Sequence, residues 1–545
     1  MNHRAPPALR PTAFGRRGVI ATANALASQA AVRMYAAGGN AVDAAIAAAF
    51  TSTVAEPYYS SICGVGTLLV TLPGQTPRAL DYLGRAPAAF DASRMPRLAD
   101  PRWPDPDHIC SAPIPAALAA WVRVLEDHGT KSLAEVMAPA IELAEAGVPL
   151  QRYDFEAYAV DGPRIHPGYS RTNYMPEGRA PRPGEVLRQR DLAASFRTIA
   201  AEGADVLYEG SLANAIVREM EQRGGMVGKQ DLASYRSSLA WSEPVSVDYR
   251  DVRIYTSPPP SSAFQVLATL AIAEGWSLGD MEHLGPDHLS VLAESIRAAR
   301  LDTERWGGDP DFVSVPVAEL LSPGHIAELR GRVEDRLRSG AGAGAPPASG
   351  PARSTTTHIA AIDASGLGIN MTHSMGWGFG CGVVVEGTGI ALGHSLAWGR
   401  LEPGHNNELK PGKRHEWPLA PTQIFRNGRL WASLGTPGNF GILATTAQVI
   451  SNLVDFGFDI QHAIESPRFR WLDDPDNGFP PRSLVGETRI PAATRDALKA
   501  RGYEVDWVGD WTWRVGGMQG AMIEPSTGWL SAGADPRRNG YAIGW

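Results

Sequence analysis

Most of the usual signposts are missing from this sequence. Of 545 residues only three are cysteine (Cys63, Cys110 and Cys381), an odd and widely spaced set that excludes a disulfide framework and a paired-cysteine zinc site. No stretch approaches the roughly 18 uninterrupted apolar residues of a membrane span. Positive charge is not in surplus: 50 Lys and Arg stand against 58 Asp and Glu, a net −8 that offers no basic face to nucleic acid. HExxH, P-loop and dinucleotide-binding signatures are absent. The histidines at 358, 373, 394, 405 and 415 are scattered, so neither a metal nor an organic cofactor is expected. What is there is ordinary globular composition, 44% hydrophobic and 20% charged, long enough for two or three domains or one large enzyme core.

Arg16 and Arg17 resemble the start of a twin-arginine export signal. The apolar core that should follow is interrupted by Thr22, Asn24, Ser28 and Gln29, and Arg33 comes soon after. The segment reads better as a strand, Val19 to Thr22, leading into a helix with Leu26, Ala30, Met34 and Ala37 on one face and Gly38-Gly39 as its stop. The expected location is therefore cytoplasmic. Asn40 caps a second helix with Val42, Ile46 and Ala49 as its buried stripe. Helices are also expected over Ala116 to Leu125, over Leu133 to Glu145, and after the Pro-rich loop Ser257 to Ser262.

From Ser339 to Ala352 all fourteen residues are Gly, Ala, Pro or Ser, a composition expected to be flexible and open to cleavage. Directly after it, Ser354-Thr355-Thr356-Thr357-His358 opens a strand through Ile362. A turn at Asp363 to Gly366 leads to a second strand, Gly368 to Ser374, with period-two alternation. If the hairpin closes over Ala364, Ser365 and Gly366, paired residue numbers add to 730, and Thr356 faces Ser374. Two facing hydroxyls at a strand start suit an N-terminal nucleophile: a threonine hydroxyl needs a base, and a free α-amino group with pKa about 7.7–8.0 can serve. That amine exists only after cleavage before the threonine. A threonine run is equally good strand sequence. Gly435 to Asn439, between a strand and an apolar helix, offers backbone N–H groups for an oxyanion or is a plain junction. Gly376, Gly378, Gly380 and Gly382 leave a strand edge open or form a bulged connection.

These residues resemble the γ-glutamyltranspeptidases. GGNAVDAAIAAAF (Gly38 to Phe50), Glu56-Pro57, Gly64 to Gly66, YTSPPPSS (Tyr255 to Ser262) and GDPDFVSVP (Gly308 to Pro316) are similar to the family's large subunit. TTH (Thr356 to His358), FGCGVVVEGTGI (Phe379 to Ile390) and GADPRRNG (Gly533 to Gly540) are similar to the small one. The resemblance implies an α+β Ntn-hydrolase fold, a four-layer αββα sandwich formed jointly by the two subunits of a self-cleaved precursor. It implies an N-terminal extension over 1–17, a large subunit over 18–355 that includes the linker 339–355, and a small subunit over 356–545. Carried over by position, Thr356 is the nucleophile, released by cleavage after Thr355. Ser374 braces its amine, and Gly438 and Asn439 form the oxyanion hole, with Asn in place of a second glycine.

The glutamate-binding set departs from the pattern. Gly376 and Trp398 stand at the positions that hold the substrate's α-amino group, Trp417 and Pro418 replace the serine pair, and the arginine position falls near Ala92, with Arg94 two residues on. A zwitterionic glutamyl group would lose its partners here, and two tryptophans favour a flatter, more apolar group unless they are only core packing. The expectation is a self-processing amidohydrolase for a small non-glutathione amide, without cofactor, nucleic acid or membrane partner; a higher oligomer is compatible with it. The rivals are a true γ-glutamyl hydrolase or transferase using Arg94, a serine hydrolase using Ser395 in the near-elbow Gly393-His394-Ser395-Leu396-Ala397, and a non-catalytic binding protein.

Overall fold

The computed structural model describes residues 8–339, 355–472, 483–524 and 526–545. The Gly/Ala/Pro/Ser boundary segment lies outside them, save Ser339, which ends the helix Pro323–Ser339.

Among the described residues the strands build two seven-stranded sheets in which all neighbours are antiparallel. The first runs Tyr541–Gly544, Gly18–Thr22, Thr355–Asp363, Gly368–Gly376, Val65–Thr71, Arg78–Tyr82 and Trp241–Ser242. The second runs Ala13–Gly15, Leu530–Ala534, Gln519–Ile523, Arg429–Gly435, Thr422–Arg426, Val252–Thr256 and Val245–Tyr249. Residues 13–15, within the stretch read as an extension, are thus an edge strand. Residues 18–22, read as a strand rather than an export signal, lie beside the strand that carries Thr356.

The two sheets face one another. Val19, Ala21, Ala360 and Ile362 of the first share a core with Phe425, Leu430, Ala521 and Ala532 of the second. Asn370 also crosses the gap, its Nδ2 donating to the Thr422 carbonyl at 2.7 Å and the Leu434 carbonyl at 2.9 Å. Because side chains alternate along a strand, Thr356 and His358 share the inner face with Ala360, while Thr357 and Ile359 face the other way.

The outward face of the first sheet carries the helix Ala41–Ala55. Its start follows the expected chemistry: Asn40 Oδ1 accepts the Val42 and Asp43 N–H groups, and Asp43 accepts the Asn40 N–H in return. The expected stripe of Val42, Ile46 and Ala49 is too narrow, since all fifteen residues are buried. The helix is enclosed by the helices Ala25–Ala36 and Leu133–Ala146 as well as by the sheet, which is why alanine dominates its surface. In the helix Ala25–Ala36 the buried face is Ala27, Ala30, Ala31, Met34 and Tyr35. It is rotated from the expected one, leaving Leu26 half-buried and Ala37 exposed, because the helix ends before Ala37 and Gly38 turns the chain at φ +79°. The second sheet carries Phe264–Ala273 and Ile460–Glu465.

Candidate active site

The hairpin closes in the expected register. Thr356 pairs with Ser374, Thr357 with His373, and the series continues to Ile362 and Gly368. The ladder is irregular at one step, between Thr355 and Thr356, so that Thr355 pairs with Gly376. On the buried inner face Thr356 Oγ1 donates to Ser374 Oγ at 3.2 Å, and that oxygen also accepts the Gly376 N–H at 2.9 Å. Two residue pairs further along the same face, His358 Nδ1 and Thr372 Oγ1 are 2.9 Å apart. Burial drives the His358 imidazole down to about 3, so it is neutral at physiological pH.

Two buried side chains tie down the start of this strand. Thr357 Oγ1 donates to Glu56 Oε2 at 3.0 Å, and Arg538 Nη1 donates to the Thr356 carbonyl at 3.1 Å. Glu56 ends the helix Ala41–Ala55 as its C-cap. Burial pushes its carboxyl up to about 7, against the opposing pull of the Thr357 hydroxyl and the Arg538 charge. Arg538 also lies 5.3 Å from the centre of the Tyr59 ring. The segment bearing it is held by a fully buried ionic network in which Arg537 bridges Asp535 and Glu487, and Arg468 pairs with Asp535. Burial alone would raise Asp535, but Arg537 and Arg468 bring it down to about 2.

The turn after Arg429–Gly435 lies on the same side. A Cβ on Gly435 would sit 2.3 Å from the His358 ring, so the glycine permits this approach. Contacts close the circuit: Gly517 donates its N–H to Thr436 Oγ1 at 2.9 Å, and a Cβ on Gly517 would meet the Arg538 side chain at 2.6 Å. Gly438 has φ +140° and Asn439 φ +60°. Asparagine is among the few non-glycine residues that tolerate this region, and here its Oδ1 accepts the Phe440 N–H. The Asn in the glycine pair therefore keeps the left-handed backbone. Helix Gly441–Val454 follows at once.

The two tryptophans come together. Trp398 and Trp417 stack with centroids 5.0 Å apart and planes at 26°, and Phe440 lies 5.9 Å from Trp398. Both tryptophans are buried, so part of their role is packing. Trp398 and Phe440 also line a cavity of about 420 Å³ with Trp103, Arg300, Arg400 and Glu416. Gly376 ends its strand at φ +102°, and a Cβ there would meet the His394 ring at 2.7 Å. Gly378 is pinned similarly, since a Cβ would strike Asp161. The glycine series is thus a tightly packed connection rather than an open strand edge.

Arg94 is not brought to this site. It is exposed, and its guanidinium donates to the Gly224 carbonyl at 3.1 Å. Ser395 is buried, but its Oγ contacts no histidine, and His394 Nδ1 instead accepts the Trp377 N–H at 3.2 Å. The arrangement lacks the serine–base contact a serine hydrolase needs. Glu56 and Arg538 lie in sequence motifs that assign them no role. Their only sequence signal is charge inside otherwise apolar or glycine-rich segments. Among the described residues no group of His, Cys, Asp or Glu could hold a metal, and no helix is long and apolar enough to cross a membrane.

The family model described as Gamma-glutamyltranspeptidase matches residues 27–545. The acylase ACY 1 proenzyme of Pseudomonas sp. strain SE83 is 35% identical over 504 residues, 90% of this chain and 88% of that one. The glutathione hydrolase proenzyme of Escherichia coli K12 is 29% identical over 568 residues, 98% of this chain and 94% of that one. The crystal structure of cephalosporin acylase from Bacillus halodurans superposes with a TM-score of 0.87 at 30% identity, covering 100% of this chain and 99% of that chain.

Proposed function

The chain belongs to the γ-glutamyltranspeptidase family and is an N-terminal nucleophile amidohydrolase, and from that premise we propose that Thr356 is the nucleophile of a self-processed acylase for a small, non-glutamyl amide. The observation that supports this reading is the buried Thr356–Ser374 hydroxyl pair, together with the left-handed Gly438–Asn439 turn that follows the strand packed on His358 through Gly435, and with Trp398 and Trp417 at the positions that in the family would hold glutamate. In this reading the sheets and the helices on their outward faces are the αββα sandwich, shared between residues 18–355 and 356–545.

Processing begins when Thr356 Oγ attacks the Thr355 carbonyl, where the strand ladder is irregular. The amide nitrogen leaves as the free α-amine of Thr356, and water hydrolyses the resulting ester. In turnover that amine takes the Thr356 hydroxyl proton while Oγ attacks the substrate carbonyl. The N–H groups of Gly438 and Asn439 stabilise the oxyanion. The protonated amine then gives its proton to the departing substrate nitrogen, and water, deprotonated by the same amine, releases the acid. Ser374 positions the amine, and Arg538 and Glu56 hold the strand that presents it. A cytoplasmic site of action is part of the same proposal and is tested by cell fractionation.

Two proteins with acylase in their names, from Pseudomonas and Bacillus halodurans, support an acyl amide as substrate. The test is a set of anilides: purified enzyme should release aniline from neutral N-acyl anilides at a rate well above that from the γ-glutamyl anilide. Preference for the γ-glutamyl anilide would overturn the substrate assignment.

A further inference from the structure

The cavity lined by Trp398 and Phe440 is charged, and its charges are unevenly balanced. Arg102, Arg305 and Glu402 stand at its exposed mouth, where Arg102 pairs with Asp100 at 2.7 Å and water screens the rest. Further in, the helix Pro286–Trp306 supplies Arg300 and Glu304, which pair with each other at 3.0 Å. The Arg300 guanidinium also lies 4.4 Å from the centre of the Phe440 ring. Desolvation pushes the Glu416 carboxyl up to about 7, against the pull of the Ser262 hydroxyl that donates to it, so this acid is only partly ionised at neutral pH.

Arg400 is the exception. Its guanidinium lies 3.5 Å from the centre of the Trp103 ring, and among the described residues no carboxylate or carbonyl oxygen accepts a hydrogen bond from it. Desolvation and the Arg102 charge lower it from the ordinary arginine value, against the more distant pull of Glu402, Asp100 and Glu304. This is a cation short of a close counter-charge. Its backbone is nevertheless fixed, the N–H donating to the Asn407 carbonyl and the carbonyl accepting the Leu409 N–H, each at 2.8 Å. Two residues earlier, Trp398 is 3% exposed and its Nε1 has no hydrogen-bond partner.

The cavity thus holds unused donors and no unused anion in its interior. A guanidinium presents a planar fork of N–H groups that matches a carboxylate, and an indole N–H can only donate. A neutral amide would satisfy Trp398 but leave Arg400 without a counter-charge. An ammonium would find Glu304 already paired with Arg300.

Resting on the acylase reading, we infer that this cavity is an anion subsite in which Arg400 and the Trp398 indole N–H hold a carboxylate of the amide substrate, with Trp103, Trp398 and Phe440 shaping it for a flat body. An α-ammonium on the carbon that bears the carboxylate would be brought against Arg400 and Arg300, so the subsite takes a carboxylate and disfavours the glutamyl zwitterion. Phe440 directly follows Asn439 of the proposed oxyanion turn, so the cavity adjoins the reacting amide and the carboxylate belongs either to the acyl part or to the departing amine.

The test is isothermal titration of the protein as purified with three flat probes of one shape: benzoate, benzamide and benzylammonium. Benzoate should bind saturably and about tenfold more tightly than benzamide, the scale of a charge-assisted hydrogen bond, with benzylammonium weakest. Arg400→Met, which keeps the stem and removes the charge, should bring benzoate and benzamide within twofold, whereas Arg400→Lys should keep part of the difference. Trp398→Phe should reduce the same ratio and guards against a folding failure in the first variant. No saturable benzoate binding, equal affinity for benzamide, or a ratio unchanged in both Arg400→Met and Trp398→Phe would overturn the inference. Turnover separates the two sources: a higher kcat/KM than benzanilide for 4-carboxybenzanilide, with the carboxylate on the acyl ring, assigns the subsite to the acyl part, and for 4-benzamidobenzoate to the departing amine. An advantage for neither, in an enzyme that hydrolyses benzanilide, would overturn it. The mass of the same sample reports separately on the nucleophile: an uncut chain that prefers benzoate defeats the acylase reading and leaves the anion site standing, whereas a cut chain without the preference defeats only the subsite.

Discussion

Replacing Glu56 with Gln should change how stability depends on pH. In the folded chain this fully buried carboxyl accepts the Thr357 hydroxyl, and burial lifts its pKa from the ordinary 4.5 to about 7. Below pH about 4.5 both folded and unfolded states carry the proton, and the group contributes nothing. Between 4.5 and 7 the folded state keeps a proton that the unfolded state releases, so stability falls as pH rises. Above 7 the full cost is present, about 3 kcal/mol for a displacement of this size. Glutamine keeps an acceptor for Thr357 and cannot ionise. For 545 residues at about 2.1 cal/mol/K each, the unfolding entropy is about 1.1 kcal/mol/K, so about 3 kcal/mol is worth about 3 °C in Tm. Scanning calorimetry of the variant and the parent, both in a Thr356→Ala background to keep one uncut chain, should show their Tm difference widening in the variant's favour by about 3 °C from pH 4.5 to pH 8. A constant difference across that range would refute the buried-carboxyl argument.

Ser374→Ala should lower kcat on a neutral anilide by roughly ten- to a hundredfold, on the scale of about 1–3 kcal/mol for a lost buried hydrogen bond, while Ser374→Thr retains most of the rate; equal rates for Ala and the parent would contradict the bracing role. Asn439→Val forces a β-branched residue to φ +60° and should cost about 1–2 kcal/mol, read as a lower denaturation midpoint, whereas Asn439→Gly should cost little. Arg94→Ala should leave kcat/KM within twofold, because the guanidinium is held at the surface on the Gly224 carbonyl; a tenfold loss would restore it to the site.

The parts of the site that depend on neighbours in sequence were readable from it. The hairpin register follows from a short turn and period-two alternation, and the Asn40 cap from local side-chain geometry. Burial that depends on the third dimension was not. The helix Ala41–Ala55 presents a stripe on paper but is enclosed on every side, since alanine carries no periodic signal of its own. Glu56 and Arg538 are far apart in the chain, and nothing short-range announces that they meet at Thr356 and Thr357. Arg94 illustrates the reverse: closeness in sequence to a family position did not place its guanidinium in the pocket, because the turn at Ala92–Arg94 directs it to the Gly224 loop.

The most direct test of the central claim is the intact mass of the purified protein beside its Thr356→Ala variant. The account predicts two fragments from the parent, split between Thr355 and Thr356, and one full-length chain from the variant. A full-length chain from both after prolonged incubation, or cleavage that persists in the variant, would contradict it.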